Sequence, residues 1–269
     1  MGVVRATAHP THGTCAGPPS LTAPPGRGVA GPPLRVLTER PPRPPSQCRS
    51  DPRHGGPLHP YLDHARRLVR SSTPVVVYDT ETSGLIAIGD PFPWPWEIAA
   101  CLVRKGLIED RFHAILDWRE PIPAGANLRG IDPATPMTTG IPPLEALTRF
   151  SRFVADLPLA GQRVELFDNV VMRAAYWKSD LPTPRGLREP GRSIDTRYLA
   201  ELLYPVPGMP GAPADYHLGD LARHFGVPHD PAELHGAPAD AEVTVGVLLG
   251  LVAEVERRQA ARPSRKRSA

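Results

Sequence analysis

Two kinds of apolar pattern alternate between residues 73 and 258. Short runs rich in β-branched residues predict buried strands, and residues 75–78, Val-Val-Val-Tyr, are the clearest example. Apolar residues three and four apart predict helices, and residues 143–157 show this spacing with the predicted core positions Leu144, Leu147, Phe150 and Val154. The order strand, strand, strand, helix, strand, helix and further helices predicts an α/β domain, in which an antiparallel three-strand meander leads into parallel strands.

Composition divides the chain. Residues 1–60 contain 14 Pro, 8 Gly and 7 Arg, and only two acidic residues. Such a stretch buries too little apolar surface to offset its ordering entropy. We therefore expect residues 1–70 to form a disordered arm, either dispensable or in weak contact with nucleic acid or a partner. Residues 71–258 then form the folded domain, and residues 259–269 form a basic tail that could attract phosphates.

Charge and cysteine content exclude several functional classes. A net charge of +3 is too small to indicate nucleic-acid binding by itself. The three Cys show no spacing typical of zinc or of a disulfide framework. The chain also has no apolar run of about 18 residues, so we expect no membrane partner and a cytoplasmic location.

Two carboxylates follow the run at 75–78. Side chains alternate across a strand, so Asp79 and Glu81 are expected to project from the same side. Buried like charges are costly unless a cation lies between them, and carboxylate oxygens suit Mg²⁺ or Mn²⁺. The alternative is a strand that ends in a polar turn with both carboxylates solvated.

A second pair of polar residues lies near the other end of the domain. His235 is predicted in a loop, and Asp240 in the first turn of an apolar helix. Alone, such a His is usually a surface residue, and such an Asp only favours the helix dipole. As a spaced pair downstream of two carboxylates, they favour a shared site.

Together these motifs resemble the DEDD superfamily of 3′→5′ exonucleases, in its His-containing (DEDDh, or DnaQ-like) branch. Residues 79–85 are close to the first family motif, D-x-E-T-[TS]-G-L, and residues 235–240 match H-x(4)-D. The similarity covers roughly residues 73 to 256, and the branch contains the proofreading epsilon subunit of bacterial DNA polymerase III. It implies a ribonuclease H-like α/β fold, with a mixed five-stranded sheet flanked by helices.

The middle motif of the family can be aligned in two ways. If residues 167–168 are its Phe-Asp pair, Asp168 supplies the third carboxylate, although the preceding His-Asn pair is absent. If residues 168–169 replace His-Asn, Arg173 occupies that position, and residues 163–167 form the preceding strand. A guanidinium there would repel cations and leave a site that binds without turnover.

The resemblance implies a metal-dependent 3′→5′ exonuclease that removes nucleotides from the 3′ end of DNA. Two Mg²⁺ or Mn²⁺ ions about 4 Å apart would support phosphodiester hydrolysis. Asp79, Glu81 and Asp240 are the implied metal ligands, and Asp168 is the fourth carboxylate. His235 is the implied general base. The residues implied to contact the terminal nucleotide are Thr82, Ser83, Gly84 and Leu85.

Two alternative functions follow from the same residues. The substrate could be RNA, since the motifs do not discriminate the sugar. The chain could also be a catalytically impaired nucleic-acid-binding module if Arg173 replaces the carboxylate. The expected partners are single-stranded DNA or RNA 3′ ends, with a DNA polymerase as a further candidate.

The aromatic and Pro-rich segment 91–96 is interpreted as packing on the domain, or as a rigid lip that stacks on bases.

Overall fold

A mixed sheet of five strands forms the centre of the domain. The computed structural model describes residues 59–86, 92–123, 132–232 and 234–261. The strand order is β3-β2-β1-β4-β5. The strands are β1 (Val75–Thr82), β2 (Pro95–Arg104), β3 (Leu107–Ile115), β4 (Leu159–Gly161) and β5 (Ser193–Asp195).

The central strand β1 joins the two halves of the sheet. It pairs antiparallel with β2 and parallel with β4, and β4 pairs parallel with β5. Strand β2 also pairs antiparallel with β3. The predicted fold class, with its antiparallel meander followed by parallel strands, is confirmed.

Helices cover both faces of this sheet. The helices are α1 (Pro60–Arg70), α2 (Thr135–Thr139), α3 (Pro143–Val154), α4 (Asp168–Lys178), α5 (Arg185–Arg188), α6 (Thr196–Leu203), α7 (Leu218–Phe225) and α8 (Ala237–Ala260). None of these helices is long and apolar enough to cross a membrane.

Alternation along β1 divides the hydrophobic core into two clusters. Val75 and Val77 pack with buried residues of α1, α6, α7 and α8 on one face. Val76 and Tyr78 pack with α3 and α4 on the other face. Both faces of β1 are therefore buried, which explains its nearly continuous apolar sequence. The carboxylates that follow are consequently drawn into partly buried surroundings.

The predicted boundary of the disordered arm is wrong at residues 60–70. These residues form α1, whose buried side chains Leu62, Ala65 and Val69 pack in the core. Arg70 also donates two hydrogen bonds to Glu256 of α8, at 2.9 and 2.8 Å. The Pro-rich composition before residue 60 obscured this short amphipathic helix. Residues 1–58 lie outside the described part of the chain.

Two smaller predictions also differ from the structure. The basic tail was expected from residue 259, but α8 continues to residue 260, and residues 262–269 lie outside the described residues. In α3, Leu147, Phe150 and Val154 are buried as predicted, whereas Leu144 is exposed. Leu144 follows Pro143 in the first turn of the helix, where its side chain lies beyond the edge of the core.

Candidate active site

Three carboxylates from distant parts of the sequence meet at the end of β1. Oxygen atoms of Asp79, Glu81 and Asp240 all lie within 4.8 Å of one another. Asp79 and Glu81 project from the same side of β1, as the alternation predicted, and Asp240 lies in the first turn of α8. This spacing allows one cation to contact all three oxygens.

Electrostatics at this centre favour a cation. Burial raises the pKa of Asp79 well above its usual value, and the charges of Asp168, Asp240, Glu81 and Glu97 raise it further. Ionising Asp79 beside these carboxylates therefore costs free energy. A divalent ion would reverse this cost, so the donor set fits a hard metal ion that prefers oxygen ligands.

Asp168 begins α4 and faces the same strand. Its side chain is 4% exposed, and its Oδ1 accepts hydrogen bonds from the backbone N–H and the hydroxyl of Thr80, at 3.1 and 2.6 Å. Burial raises the pKa of Asp168 to about 7, against the lowering effect of the bonds from Thr80. Asp168 is not one of the three residues whose oxygens lie within 4.8 Å, but its charge acts directly on Asp79.

Arg173 points elsewhere. It is exposed on α4, and its Nη1 donates to the backbone carbonyl of Leu187 at 3.4 Å. Residues 163–167 form a turn and not the strand that the Arg173 alignment required; the strand is β4, which ends at residue 161. The geometry therefore brings Asp168, and not Arg173, to the carboxylates of β1.

A buried hydrogen-bond chain holds the start of α4 in place. The Tyr78 hydroxyl donates to Asn169 Oδ1 at 2.6 Å, and Asn169 Nδ2 donates to Ser193 Oγ at 3.2 Å. Strand β4 also approaches β1 closely, because a Cβ at Gly161 would lie 2.8 Å from the carbonyl oxygen of Tyr78. These contacts leave the first turn of α4 little freedom relative to β1.

His235 lies in the predicted loop directly before α8. It is exposed, its φ is +81°, and its backbone N–H donates to Asp240 Oδ1 at 3.1 Å. The left-handed backbone is uncommon for a residue with a Cβ, and local strain of this kind is often found at functional sites. The bond holds the backbone of His235 beside Asp240.

The four predicted substrate contacts form the turn after Glu81. Thr82 Oγ1 donates to the Gly84 carbonyl at 2.7 Å, and Ser83 Oγ accepts from the backbone N–H of Trp94 at 3.0 Å. A Cβ at Gly84 would meet nothing within 4 Å, and Leu85 is 76% exposed. The turn thus presents open backbone and an apolar side chain beside the acidic centre.

Glu97 is a residue of the site that the sequence analysis missed. It is 7% exposed and is the cross-strand neighbour of Glu81. Its Oε2 accepts from the backbone N–H of Ala237, at the start of α8, at 3.1 Å, and its Oε1 lies 2.7 Å from His113 Nε2. Glu97 therefore ties the helix that carries Asp240 to β2. The signals in the sequence were a Glu inside an otherwise apolar strand and the likeness of residues 97–98 to the Glu-Ile pair that opens the second strand of the family.

The sequence matches a known family over this whole region. The RNase_T family model, described as exonuclease, matches residues 76–248, which include all five predicted catalytic residues. The chain belongs to this DnaQ-like exonuclease family. The family predicted from the first and last motifs is thus confirmed.

Curated relatives agree with this assignment. The chain is 31% identical over 198 residues to a PolC-type DNA polymerase III of Streptococcus thermophilus. It is 32% identical over 171 residues to the PolC-type enzyme of Pediococcus pentosaceus. These alignments cover 73% and 63% of the chain, but only 12% and 11% of the relatives. The chain therefore spans about an eighth of the length of the polymerases that it matches.

Solved structures share the fold. Escherichia coli exonuclease I in complex with an oligonucleotide superposes with a TM-score of 0.55 and 19% identity, covering 69% of this chain and 42% of exonuclease I. A zinc-bound complex of the same enzyme with single-stranded DNA gives the same TM-score and identity, with 69% and 42% coverage. At this identity the likeness establishes the fold alone.

Proposed function

We propose that this chain is a metal-dependent 3′→5′ exonuclease that removes nucleotides from the 3′ end of single-stranded or frayed DNA. The observation that carries the proposal is the approach of Asp79, Glu81 and Asp240 oxygens within 4.8 Å, beside the buried carboxylate of Asp168. Hydrolysis of a phosphodiester requires a nucleophilic water, a neutralised phosphate and a stabilised leaving oxygen. A dense group of carboxylates supports this chemistry only together with cations.

Asp79, Glu81 and Asp240 would hold the metal, with Asp168 as the fourth carboxylate. Two Mg²⁺ or Mn²⁺ ions bound there would lower the pKa of the attacking water and neutralise charge on the phosphate. The residues of the chain supply the rest of the site. Thr80 orients Asp168, and Glu97 holds the first turn of α8, so that the carboxylates face one another before substrate arrives.

His235 is the proposed general base. A nitrogen of its imidazole would accept the proton of the attacking water and release it to solvent. His235 is exposed on the loop before α8, so its ring is accessible to the attacking water and to solvent. The bond from its backbone to Asp240 holds this loop residue beside one of the proposed metal ligands.

The turn at residues 82–85 is the proposed site for the terminal nucleotide. Gly84 leaves room for a sugar to approach the backbone, and exposed Leu85 offers an apolar surface for the base. Contacts to the backbone, the sugar and one face of the base do not distinguish one base from another. An enzyme that removes any terminal nucleotide requires contacts of this kind.

The relatives favour DNA over RNA as the substrate. The two relatives described above are named as DNA polymerases, and the two exonuclease I structures are complexes with an oligonucleotide or with single-stranded DNA. The same names support a DNA polymerase as a partner of this chain. Since the chain corresponds to only 12% of such a polymerase, the partner would be a separate polypeptide or another part of a longer one.

Degradation of end-labelled strands tests this function. With Mg²⁺ or Mn²⁺, a 5′-labelled DNA strand should give a ladder that shortens from the 3′ end, and a chelator should stop it. Asp79→Asn should remove the activity, whereas Asp110→Asn, on the exposed part of β3, should not. If an RNA strand of matched sequence were degraded faster than the DNA strand, the chain would be an exoribonuclease instead. Internal cleavage that releases long fragments would contradict an exonuclease.

A further inference from the structure

We propose that Phe92, Trp94, Trp118 and Lys178 form a binding site for the unpaired bases that precede the 3′-terminal nucleotide of the substrate strand. We call these four residues the aromatic platform. The proposal rests on the proposed function, because it assigns the path by which a single strand leaves the acidic centre. Its ligand is single-stranded nucleic acid, recognised through base faces and phosphates and not through sequence.

The Pro-rich segment before β2 is divided between packing and exposure. Trp96 is 2% exposed and packs in the domain, whereas Phe92 is 49% exposed and Trp94 is half-buried. Pro93 and Pro95, which flank Trp94, are buried. Because proline fixes φ, the backbone between the aromatic residues is stiff. Trp96 therefore packs against the domain, whereas Phe92 and Trp94 remain partly accessible on a stiff backbone.

Contacts among the other members fix the position of the rings. The centroids of Trp94 and Trp118 lie 6.3 Å apart at an interplanar angle of 48°. Trp118 is held by a 2.6 Å hydrogen bond from its Nε1 to the Pro95 carbonyl, and Lys178 Nζ lies 4.7 Å from its ring centroid. Trp118 thus lies beside Trp94 and holds the Lys178 ammonium next to the aromatic rings.

The platform is continuous with the turn that would hold the terminal nucleotide. Ser83 and Trp94 exchange two hydrogen bonds: Ser83 N–H donates to the Trp94 carbonyl at 2.9 Å, and Trp94 N–H donates to Ser83 Oγ at 3.0 Å. Ser83 lies two residues after Glu81, a distance of roughly 7 Å along an extended chain. A strand whose last phosphate lies at the acidic centre would therefore pass Trp94 and Phe92 within the next nucleotides.

The chemistry of the platform fits a nucleic acid better than a protein segment. Aromatic rings stack on the π face of every base, so they bind single strands without sequence preference. Lys178 adds a positive charge beside the Trp118 ring, which would attract the phosphates of that strand. The aromatic rings complement the bases of a single strand, and the ammonium of Lys178 complements its phosphates.

Binding of strands with missing bases tests the platform. We would measure fluorescence anisotropy of a 5′-labelled DNA strand of about 12 nucleotides, with Ca²⁺ in place of Mg²⁺. A matched strand lacks the bases just before the terminal nucleotide. Wild type should bind the intact strand about 5- to 30-fold more tightly than the base-free strand. Phe92→Leu and Trp94→Leu, which keep an apolar side chain but not a ring, should reduce that ratio severalfold.

Control variants separate the platform from general effects. Leu107→Ala changes another exposed apolar residue, at the far end of the β2–β3 hairpin, and should keep the wild-type ratio. Lys178→Gln should reduce the slope of log affinity against log salt by roughly 0.7, and Lys105→Gln in the hairpin turn should not. A wild-type ratio near one, or an unchanged ratio in both ring variants, would overturn the platform.

Hydrolysis of a small substrate separates this proposal from the proposed function. A nitrophenyl ester of thymidine 5′-phosphate has no preceding bases, so wild type and both ring variants should cleave it at equal rates. If wild type cleaved no phosphodiester but still discriminated intact from base-free strands, the platform would stand and the exonuclease would fail. If wild type cleaved the ester but bound intact and base-free strands equally, the exonuclease would be supported and the platform overturned. The exposed rings would then be candidates for contact with a protein partner.

Discussion

The side chain of Asp168 accepts two hydrogen bonds from Thr80, one from the backbone N–H and one from the hydroxyl. Thr80 lies between Asp79 and Glu81, so the first residue of α4 is bonded to the strand segment that carries the acidic pair. This relationship decides which residue of the middle motif faces the centre. It also makes the geometry of Asp168 dependent on a residue outside the proposed metal ligands and substrate contacts.

Removing the hydroxyl of Thr80 should therefore affect both stability and activity. We expect Thr80→Val to lower the free energy of unfolding by about 1–3 kcal/mol, because one bond to a buried carboxyl is lost. The maximal rate on DNA should fall, while Thr80→Ser, which keeps the hydroxyl, should stay close to wild type. Chemical denaturation and single-turnover rates measure the two effects. Equal behaviour of the Val and Ser variants would contradict the role of this bond.

The raised pKa of Asp168 gives a signature in the pH dependence of stability without metal. Its pKa is near 4 in the unfolded chain and about 7 in the folded one, so the folded state binds the proton more tightly. The stability contribution of Asp168 is therefore present at low pH and is lost as pH rises through 7.

Asp168→Asn cannot ionise and should escape this loss. The free energy of unfolding of the variant, minus that of wild type, should increase by roughly 2–4 kcal/mol between pH 4 and pH 7.5. Urea denaturation with a chelator measures the difference, and Asp180→Asn, at an exposed position after α4, is the control. Parallel curves for wild type and Asp168→Asn would show that Asp168 is not buried beside other carboxylates.

The sequence predicted the residues that local patterns position. Asp79 and Glu81 follow a clear strand run, so alternation was enough to predict that they share one side. Their grouping with Asp240 came from the family resemblance, through the spacing of His235 and Asp240. Asp168 was left undecided against Arg173, because residues 163–168 are compatible with either a strand or a turn. The choice depends on the very short β4 and on the bonds to Thr80, which are tertiary features.

Other features depended on contacts between distant residues. Glu97 became part of the site only because α8 begins opposite β2, which no local pattern indicates. Helix α1 was assigned to the arm because composition was averaged over a Pro-rich stretch. Its stability comes from packing in the core and from the ion pair of Arg70 with Glu256, 186 residues away in the chain.

Metal binding should stabilise the protein through the carboxylates of β1 and α8. At a Mn²⁺ concentration about 100 times the dissociation constant, the expected stabilisation is about 2.7 kcal/mol. This corresponds to a rise in melting temperature of roughly 5–10 °C for a domain of this size. Asp240→Asn should remove most of the rise in melting temperature. Glu242→Gln should keep it, because Glu242 of α8 pairs with Arg111 of β3 at the surface. An equal rise in both variants would place the metal elsewhere.

Glu97 should act by positioning α8. Glu97→Ala would leave the buried N–H of Ala237 without an acceptor, at a cost of about 1–3 kcal/mol in unfolding free energy. Because Asp240 lies one turn further on, the affinity for Mn²⁺ should also weaken severalfold. Glu97→Gln keeps an oxygen acceptor and should recover most of that affinity in calorimetric titrations.

A purely structural role for Glu97 would lower stability and leave metal affinity unchanged. Glu109→Ala, which breaks the exposed pair between Glu109 of β3 and Arg104 of β2, is the matched control and should change neither quantity. Weakened Mn²⁺ affinity in Glu97→Ala alone would support positioning of Asp240. Loss of stability without loss of affinity would contradict it.

The most direct test of the acidic centre compares Asp168→Asn with Arg173→Gln in degradation of a 5′-labelled single-stranded DNA with Mg²⁺. Loss of charge stabilisation worth several kcal/mol should slow Asp168→Asn at least about 100-fold. Arg173→Gln, whose side chain is bonded to the Leu187 carbonyl, should stay within about threefold of wild type, because a surface contact of this kind contributes little. Full activity of Asp168→Asn, together with loss of activity in Arg173→Gln, would contradict the assignment of Asp168 to the centre.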